Sequence, residues 1–272
     1  LLGWLRFLPL GTAGYAVEGA ALMALGLVAM FFGVAVGLAQ RDIKVLLAYS
    51  SVSQMGFMAL GVGAGLLSPS IWPVILPAVT LYAVHHALAK SALFLGAGVI
   101  SARGGRPWVL AGLALPALAL AGTPLTSGWL AKLALKAALA GLPAPWSALV
   151  SWLLPLAAVS TAVLMARLFF LAARTPGKDG GAGLLLPWGI WLGVGAALPW
   201  VFVAHGDIPS GAAPVLSAAW PLAAAFLLSG FAVKTRWRAP SIPPGDALVC
   251  LERLAAGIKR LCVQRRLVEE RR

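Results

Sequence analysis

The sequence predicts an all-α polytopic membrane protein, and three observations carry that prediction. Hydrophobic residues make up 61% of the 272-residue chain, charged residues make up 11%, and the mean hydropathy is +0.92. A soluble domain carries about 25% charged residues, so a water-soluble globule, a disordered chain and a disulfide scaffold are excluded. Long apolar runs recur along the chain, separated by short breaks, and about 20 apolar residues suffice to cross a bilayer core. Most of the Lys and Arg residues fall in the breaks or after the last apolar run, where they set orientation in a membrane.

Residues 1–10 read as the end of a span that begins upstream, because the chain opens inside an apolar run and without an initiator Met. That start is expected of a fragment or a truncated reading frame, and its first residues do not resemble a signal peptide. Full spans are expected at 15–39, 45–67, 72–100, 108–140, 147–173, 184–204 and 213–233. The stretch 108–140 is too long for one straight span and too short for two. Pro124 removes a helix hydrogen bond near its middle, and broken helices are tolerated where they are buried or line a polar cavity. It is read as one crossing broken near Pro124. The count is then about seven full transmembrane helices after a partial first one, in a membrane part, 1–233, followed by a basic tail, 234–272.

Charge supports the single crossing. One set of loops holds Arg41 and Lys44, Arg103 and Arg106, Arg174 and Lys178, and then the tail. The other set, 68–71, 141–146 and 205–212, has no Lys or Arg. Two crossings at 108–140 would scatter the basic residues over both sides. The basic loops and tail are therefore expected in the cytoplasm of a bacterial cell, inside its inner membrane. The net charge of +13 has the same origin: ten of 21 Lys and Arg follow the last apolar run, which excludes a nucleic-acid surface as their purpose. Leu248, Leu251, Leu254, Ala255, Ile258 and Leu261 recur at helical spacing among basic residues, predicting an amphipathic tail helix that lies on the bilayer surface or against a partner. Cys250 and Cys262 form no metal or redox motif.

The informative residues are the polar ones inside the spans. Lys90 lies about 6 Å along the axis from the centre of its span. An ionised Lys at that depth costs about 2.5–3.5 kcal/mol, so it is expected to face the bundle interior. Tyr82, His86 and Lys90 share one helix face at i, i+4, i+8, while His85 points about 100° away. Histidine both accepts and donates a proton near neutral pH, so His86 and Lys90 can exchange one through water. His85 fits either a core hydrogen bond or the same relay. Lys132 follows the break at Gly122-Thr123-Pro124, whose freed backbone groups, with Thr123, Thr126 and Ser127, can hold water; it is a candidate terminal proton site. Lys136, one turn on, can snorkel outward. Ser50 and Gln54 share a face and read first as interhelical hydrogen-bond glue. Gly61-Val62-Gly63-Ala64-Gly65 reads as close helix packing, and Trp72, Trp108, Trp146 and Trp200 as interfacial belts.

Three stretches resemble a known family. Gln40-Arg41-Asp42-Ile43-Lys44 with Leu46-Leu47-Ala48-Tyr49-Ser50-Ser51-Val52-Ser53-Gln54-Met55-Gly56-Phe57-Met58 is similar to a signature of the proton-conducting antiporter-like subunits found in respiratory complex I, multisubunit cation/proton antiporters and membrane-bound hydrogenases. His86-Ala87-Leu88-Ala89-Lys90-Ser91-Ala92-Leu93-Phe94-Leu95 resembles the family's next signature, and Gly122-Thr123-Pro124 through Lys132 its broken helix. The resemblance implies roles: Lys90 as the mid-membrane relay lysine, His86 as the histidine before it, Lys132 as the exit-side residue, and Lys44 as the basic residue of the cytoplasmic loop. The candidate path is thus Lys90, His86 and Lys132, with His85, Tyr82, Lys44 and Lys136 as further candidates. The family's earlier glutamate–lysine pair and first broken helix would lie upstream of Leu1, so the chain matches a C-terminal portion. The expected function is a subunit of a proton or Na⁺ path, partnered by other membrane subunits and lipid and coupled to a redox complex such as an NADH:quinone oxidoreductase or to an antiporter. No catalytic centre, metal set or cofactor of its own is expected. The alternative is a truncated, non-transporting scaffold.

Overall fold

The computed structural model describes residues 14–178, 180–204, 212–235 and 242. The chain divides into two compact units, Leu1–Ala239 and Pro240–Arg272, and all the helices described belong to the first. The expected span remnant at 1–10, His205 and the amphipathic tail lie outside the described residues.

Among the described residues eight α-helices follow in order: α1 (Ala16–Ala39), α2 (Ile43–Leu67), α3 (Trp72–Arg103), α4 (Pro107–Ala121), α5 (Ser127–Leu139), α6 (Trp146–Ala172), α7 (Leu185–Ala204) and α8 (Ala212–Lys234). Single 3₁₀ turns at Pro69–Ile71 and Ala182–Leu184 precede α3 and α7. Among the described residues, six helical segments are long and apolar enough to cross a membrane. The remaining two helices, α4 and α5, are the halves of the broken crossing, which is therefore a pair of short helices joined by residues 122–126 instead of one bent rod.

Loop contacts settle the path of that pair. Gly105 N–H donates to Thr175 O at 3.1 Å, and Arg167 donates to Gln40 O at 3.4 Å, so the three basic loops gather at one end. Gly141, beyond α5, packs on Ile71, at the opposite end. Residues 107–139 thus cross once, as the charge distribution predicts.

Helix starts and contacts follow local chemistry. Asp42 caps α2, its carboxylate accepting from Lys44 N–H at 2.8 Å and Val45 N–H at 3.0 Å, as N-cap aspartates do. The helices α1 and α2 touch backbone to backbone. A Cβ on Gly19, Gly26 or Gly33 would lie 2.5–2.7 Å from α2 backbone atoms, so small residues permit the approach. Of the glycine run in α2, Gly63 packs on α1, Gly61 on Val79 and Gly65 on the Trp72 ring. Trp72 is accordingly buried, a packing residue and not a belt residue, whereas Trp108 and Trp200 are exposed at 46% and 67%.

The helix α3 is central, contacting α2, α4, α5 and α7. Two apolar clusters divide it. One, built on Met30, Phe57, Leu60, Ile75, Val79 and Leu135, reaches Tyr82. The other, built on Leu47, Leu93, Ile100, Leu113 and Leu164, reaches back to Ala89. The polar residues of α3 occupy the junction between them.

Candidate functional site

Lys90 is 5% exposed, and its amine donates to the Leu47 carbonyl of α2 at 2.8 Å. Two turns earlier, Tyr82 OH donates to Gln54 Oε1 at 2.6 Å. Gln54 Nε2 in turn donates to Thr161 Oγ1 at 3.4 Å, which ties α2, α3 and α6 together. These bonds fix the face of α3 that carries Tyr82, His86 and Lys90 against the face of α2 that carries Leu47, Ser50 and Gln54. Between the two bonds lie His86 and Ser50. Both are buried, and His86 Nδ1 and Ser50 Oγ have no hydrogen-bond partner. Buried polar atoms are normally paired, so this seam has unspent hydrogen-bonding capacity.

Lys132 is positioned by the break. The carbonyls of a helix's last turn have no partner within the helix. At the end of α4, Gly122 takes a left-handed φ of 88° and donates to Ala119 O at 3.0 Å, while Thr123 N–H donates to Leu118 O at 3.1 Å. That is a Schellman cap, and it leaves the carbonyls of Leu120 and Ala121. The residue that would serve Leu120 is Pro124, which has no N–H. Lys132 serves both instead, its amine 2.9 Å from Leu120 O and 2.9 Å from Ala121 O. Helical side chains lean toward their own N-terminus, which aims Lys132 of α5 back at the end of α4. A cation there also meets the negative end of the α4 dipole. A Cβ on Gly122 would lie 2.9 Å from Lys132 Cδ, so this glycine provides both the turn and the space.

The hydroxyls at the break were expected to hold water, but they bond within the protein. Thr123 Oγ1 donates to Leu118 O at 3.0 Å and Thr126 Oγ1 to Thr123 O at 2.6 Å. Ser127 shares a 2.9 Å hydrogen bond with His85 Nδ1. Next to Lys132 is a cavity of about 90 Å³, with Phe57, Gly122, Trp129, Lys136 and Trp220 in its walls; that volume has room for several waters.

His85 is 1% exposed, its Nε2 has no partner, and its ring stands edge-on to Tyr82 with centroids 6.2 Å apart. Tyr82 stacks on Phe57 at 5.4 Å, and the Lys132 amine lies 6.0 Å from the Phe57 centroid. The structure thus brings Tyr82, His85, His86, Lys90 and Lys132 into one interior region. Lys44 and Lys136 are exposed. Lys44 stands in the first turn of α2, away from these groups, and Lys136 at the cavity wall. Glu18 is exposed near the start of α1. Sequence reasoning missed Thr161, which had no signal beyond a hydroxyl in an apolar span. It read Gln54 as glue, and that is what Gln54 is.

The described residues contain two carboxylates, Glu18 and Asp42, and Asp42 is committed to its helix cap. Both lysine amines are therefore held by backbone carbonyls. Among the described residues no group of His, Cys, Asp and Glu could hold a metal ion.

Comparison with known proteins agrees with this architecture. Over 174 residues the chain is 33% identical to an uncharacterized protein of Methanocaldococcus jannaschii, covering 60% of this chain and 34% of the relative. It is 33% identical over 132 residues to Hydrogenase-4 component B of Escherichia coli K12, covering 42% and 20%. The chain spans about a third or less of the length of these relatives. Its fold resembles a chain in the structure of the Mrp complex from Dietzia sp., with a TM-score of 0.67 and 24% identity over 89% of this chain and 31% of that one. Residues 1–154, more than half of the chain, match the family described as NADH:quinone oxidoreductase/Mrp antiporter, transmembrane, and the chain belongs to that family.

Proposed function

We propose that the chain forms part of a path that moves protons, or Na⁺, across a bacterial cytoplasmic membrane within a larger complex of the antiporter type, its basic loops and tail facing the cytoplasm. The observation that carries this reading is the pair of lysine amines, Lys90 buried in the bundle and Lys132 half-buried at the helix break, both held by neutral carbonyls. An amine inside the bundle is costly, and among the described residues no carboxylate neutralises it. Among the described residues no ion pair must be broken for a proton to leave.

Lys90 and His86 lie along the seam between α2 and α3, and Tyr82 closes it through Gln54. Lys132 lies at the break beside the cavity. Lys44 and Lys136 sit where a proton would enter from, or leave toward, solvent. The membrane subunits that complete the path, and the redox or antiport module that drives it, are other chains.

The test is ion flux through the assembled complex in vesicles. Lys90→Ala and Lys132→Ala are each expected to abolish coupled flux in complexes that still assemble. Wild-type flux in an assembled Lys90→Ala complex would refute the relay and leave the chain as a membrane scaffold.

A further inference from the structure

We propose that Arg41, Arg167 and Arg174 form a binding site for the phosphate of an anionic phospholipid, at the end of the bundle where the basic loops gather. The proposal needs only that the chain spans a bilayer and does not rest on the ion path.

Three guanidinium groups from separate elements converge there. Arg167 belongs to α6, Arg174 follows that helix, and Arg41 lies between α1 and α2. Arg167 Nη2 donates to Gln40 O, the carbonyl next to Arg41, at 3.4 Å. Arg167 and Arg174 share the Phe170 ring, their guanidinium carbons 5.3 and 3.7 Å from its centroid. Among the described residues, the charges felt at Arg167 are those of Arg174 and Arg41. One turn deeper the same helices touch: a Cβ on Gly37 would lie 3.1 Å from Leu164 Cδ1 and 3.4 Å from Tyr49 Cβ. The packing of α1, α2 and α6 therefore fixes where the arginines meet.

Membrane orientation does not explain this arrangement. It needs basic residues in the loops, and it does not need them together. Arg167 is not in a loop; it lies inside α6, five residues before the helix ends at Ala172. Like charges gathered in this way repel, and among the described residues no carboxylate offsets them. Of the two carboxylates there, Glu18 stands in the first turn of α1, at the far end, and Asp42 caps α2 through Oδ1. Arg167 Nε is buried without a partner, and the bond to Gln40 is long. Buried donors are normally paired. The group that fits is an anion with several acceptor oxygens.

A phosphate diester meets that condition. A guanidinium presents a planar fork of N–H donors that matches phosphate, and stacking on Phe170 leaves the N–H edges of Arg174 free to donate. Depth selects a lipid as the source. At about 40 Å, the 27-residue α6 overhangs a hydrocarbon core of about 30 Å. The Arg167 guanidinium, drawn toward Gln40, therefore stands at headgroup level. Below it the wall turns apolar: Leu164, Gly37 and Tyr49 meet, and Phe32, 44% exposed, stands edge-on to Tyr49. Acyl chains run along that wall when the phosphate sits among the arginines. Basic pockets between transmembrane helices hold such headgroups.

The experiment uses the assembled complex in phosphatidylcholine vesicles that contain a trace of phosphatidylglycerol with a photoreactive acyl chain, and maps the labelled peptides. Labelling is expected on α1 and α6 near Phe32 and Leu164, and is expected to fall about tenfold or more when Arg167→Gln and Arg174→Gln are combined. Photoreactive phosphatidylcholine, which has a phosphate but no net charge, is expected to label these segments only as weakly as that double variant is labelled. Arg106→Gln removes an exposed charge at the same end, outside the cluster, and is expected to change nothing. Undiminished labelling in the double variant, an equal loss in Arg106→Gln, or equal labelling by the two lipids overturns the site. Loss of labelling in excess inorganic phosphate overturns the lipid as ligand and leaves a site for a soluble anion. If the double variant does not assemble, Arg174→Gln alone, which lies beyond the helix, decides through an expected loss of about fivefold.

Discussion

The two interior lysines, Lys90 buried and Lys132 half-buried, reach the same end by opposite routes. Lys90 stands in the middle of an intact helix and borrows a carbonyl from its neighbour: Leu47 O already lies within α2 and also accepts from Ser51 Oγ at 3.2 Å. Lys132 stands after a break and takes two carbonyls that Pro124 and the end of α4 leave without a backbone partner. One amine is a guest on a completed helix and the other completes a helix. The difference teaches that a buried charge-bearing group can be separable from the fold or part of it, according to whether its partners have another use. For the path, both lysines hold a proton; for stability, only Lys132 should matter greatly.

Removing each amine tests that contrast most strongly. Lys132→Ala leaves two carbonyls unpaired, each at about 1–3 kcal/mol, and is expected to lower the thermal midpoint of the purified complex clearly. Its flux should vanish as well. Gly122→Ala comes next. A left-handed φ costs a non-glycine residue about 1–2 kcal/mol, and the new methyl presses on Lys132 Cδ, so both stability and flux should fall in the same assay. Lys90→Met should abolish flux while shifting the midpoint little, because Leu47 O keeps the Ser51 hydroxyl. A midpoint loss equal to that of Lys132→Ala would end the contrast. Ser50→Ala has the smallest expected effect on stability. Its hydroxyl is buried and unpaired, so its removal should leave the midpoint unchanged or slightly higher in a denaturation series.

Much of the fold was legible. The spans could be read from apolar runs because each must cross the same thickness of hydrocarbon, and the single crossing of 107–139 could be read from where Arg and Lys fall. Lys90 and Lys132 stood out because ionisable residues are costly in such runs. The partners did not stand out. Leu47 is an ordinary apolar residue whose contribution is a backbone atom, and Thr161 lies more than a hundred residues from the Gln54 it meets. The choice between His85 and His86 was equally hidden. Adjacent residues on a helix differ by one rotation, and the sequence does not say which neighbour lies in which direction.

The amino-acid order alone therefore determined the all-helical class, the approximate placement of the apolar helices, the break at Pro124 and the two amines that have no business in oil. These are local quantities, set by residue chemistry and by the bilayer as solvent. Tertiary packing alone decided that α3 lies at the centre, that Lys132 seals the end of α4, and that His85 rather than His86 touches α5. Those depend on where distant backbones come to rest, which glycines, proline and the fit of apolar surfaces decide together.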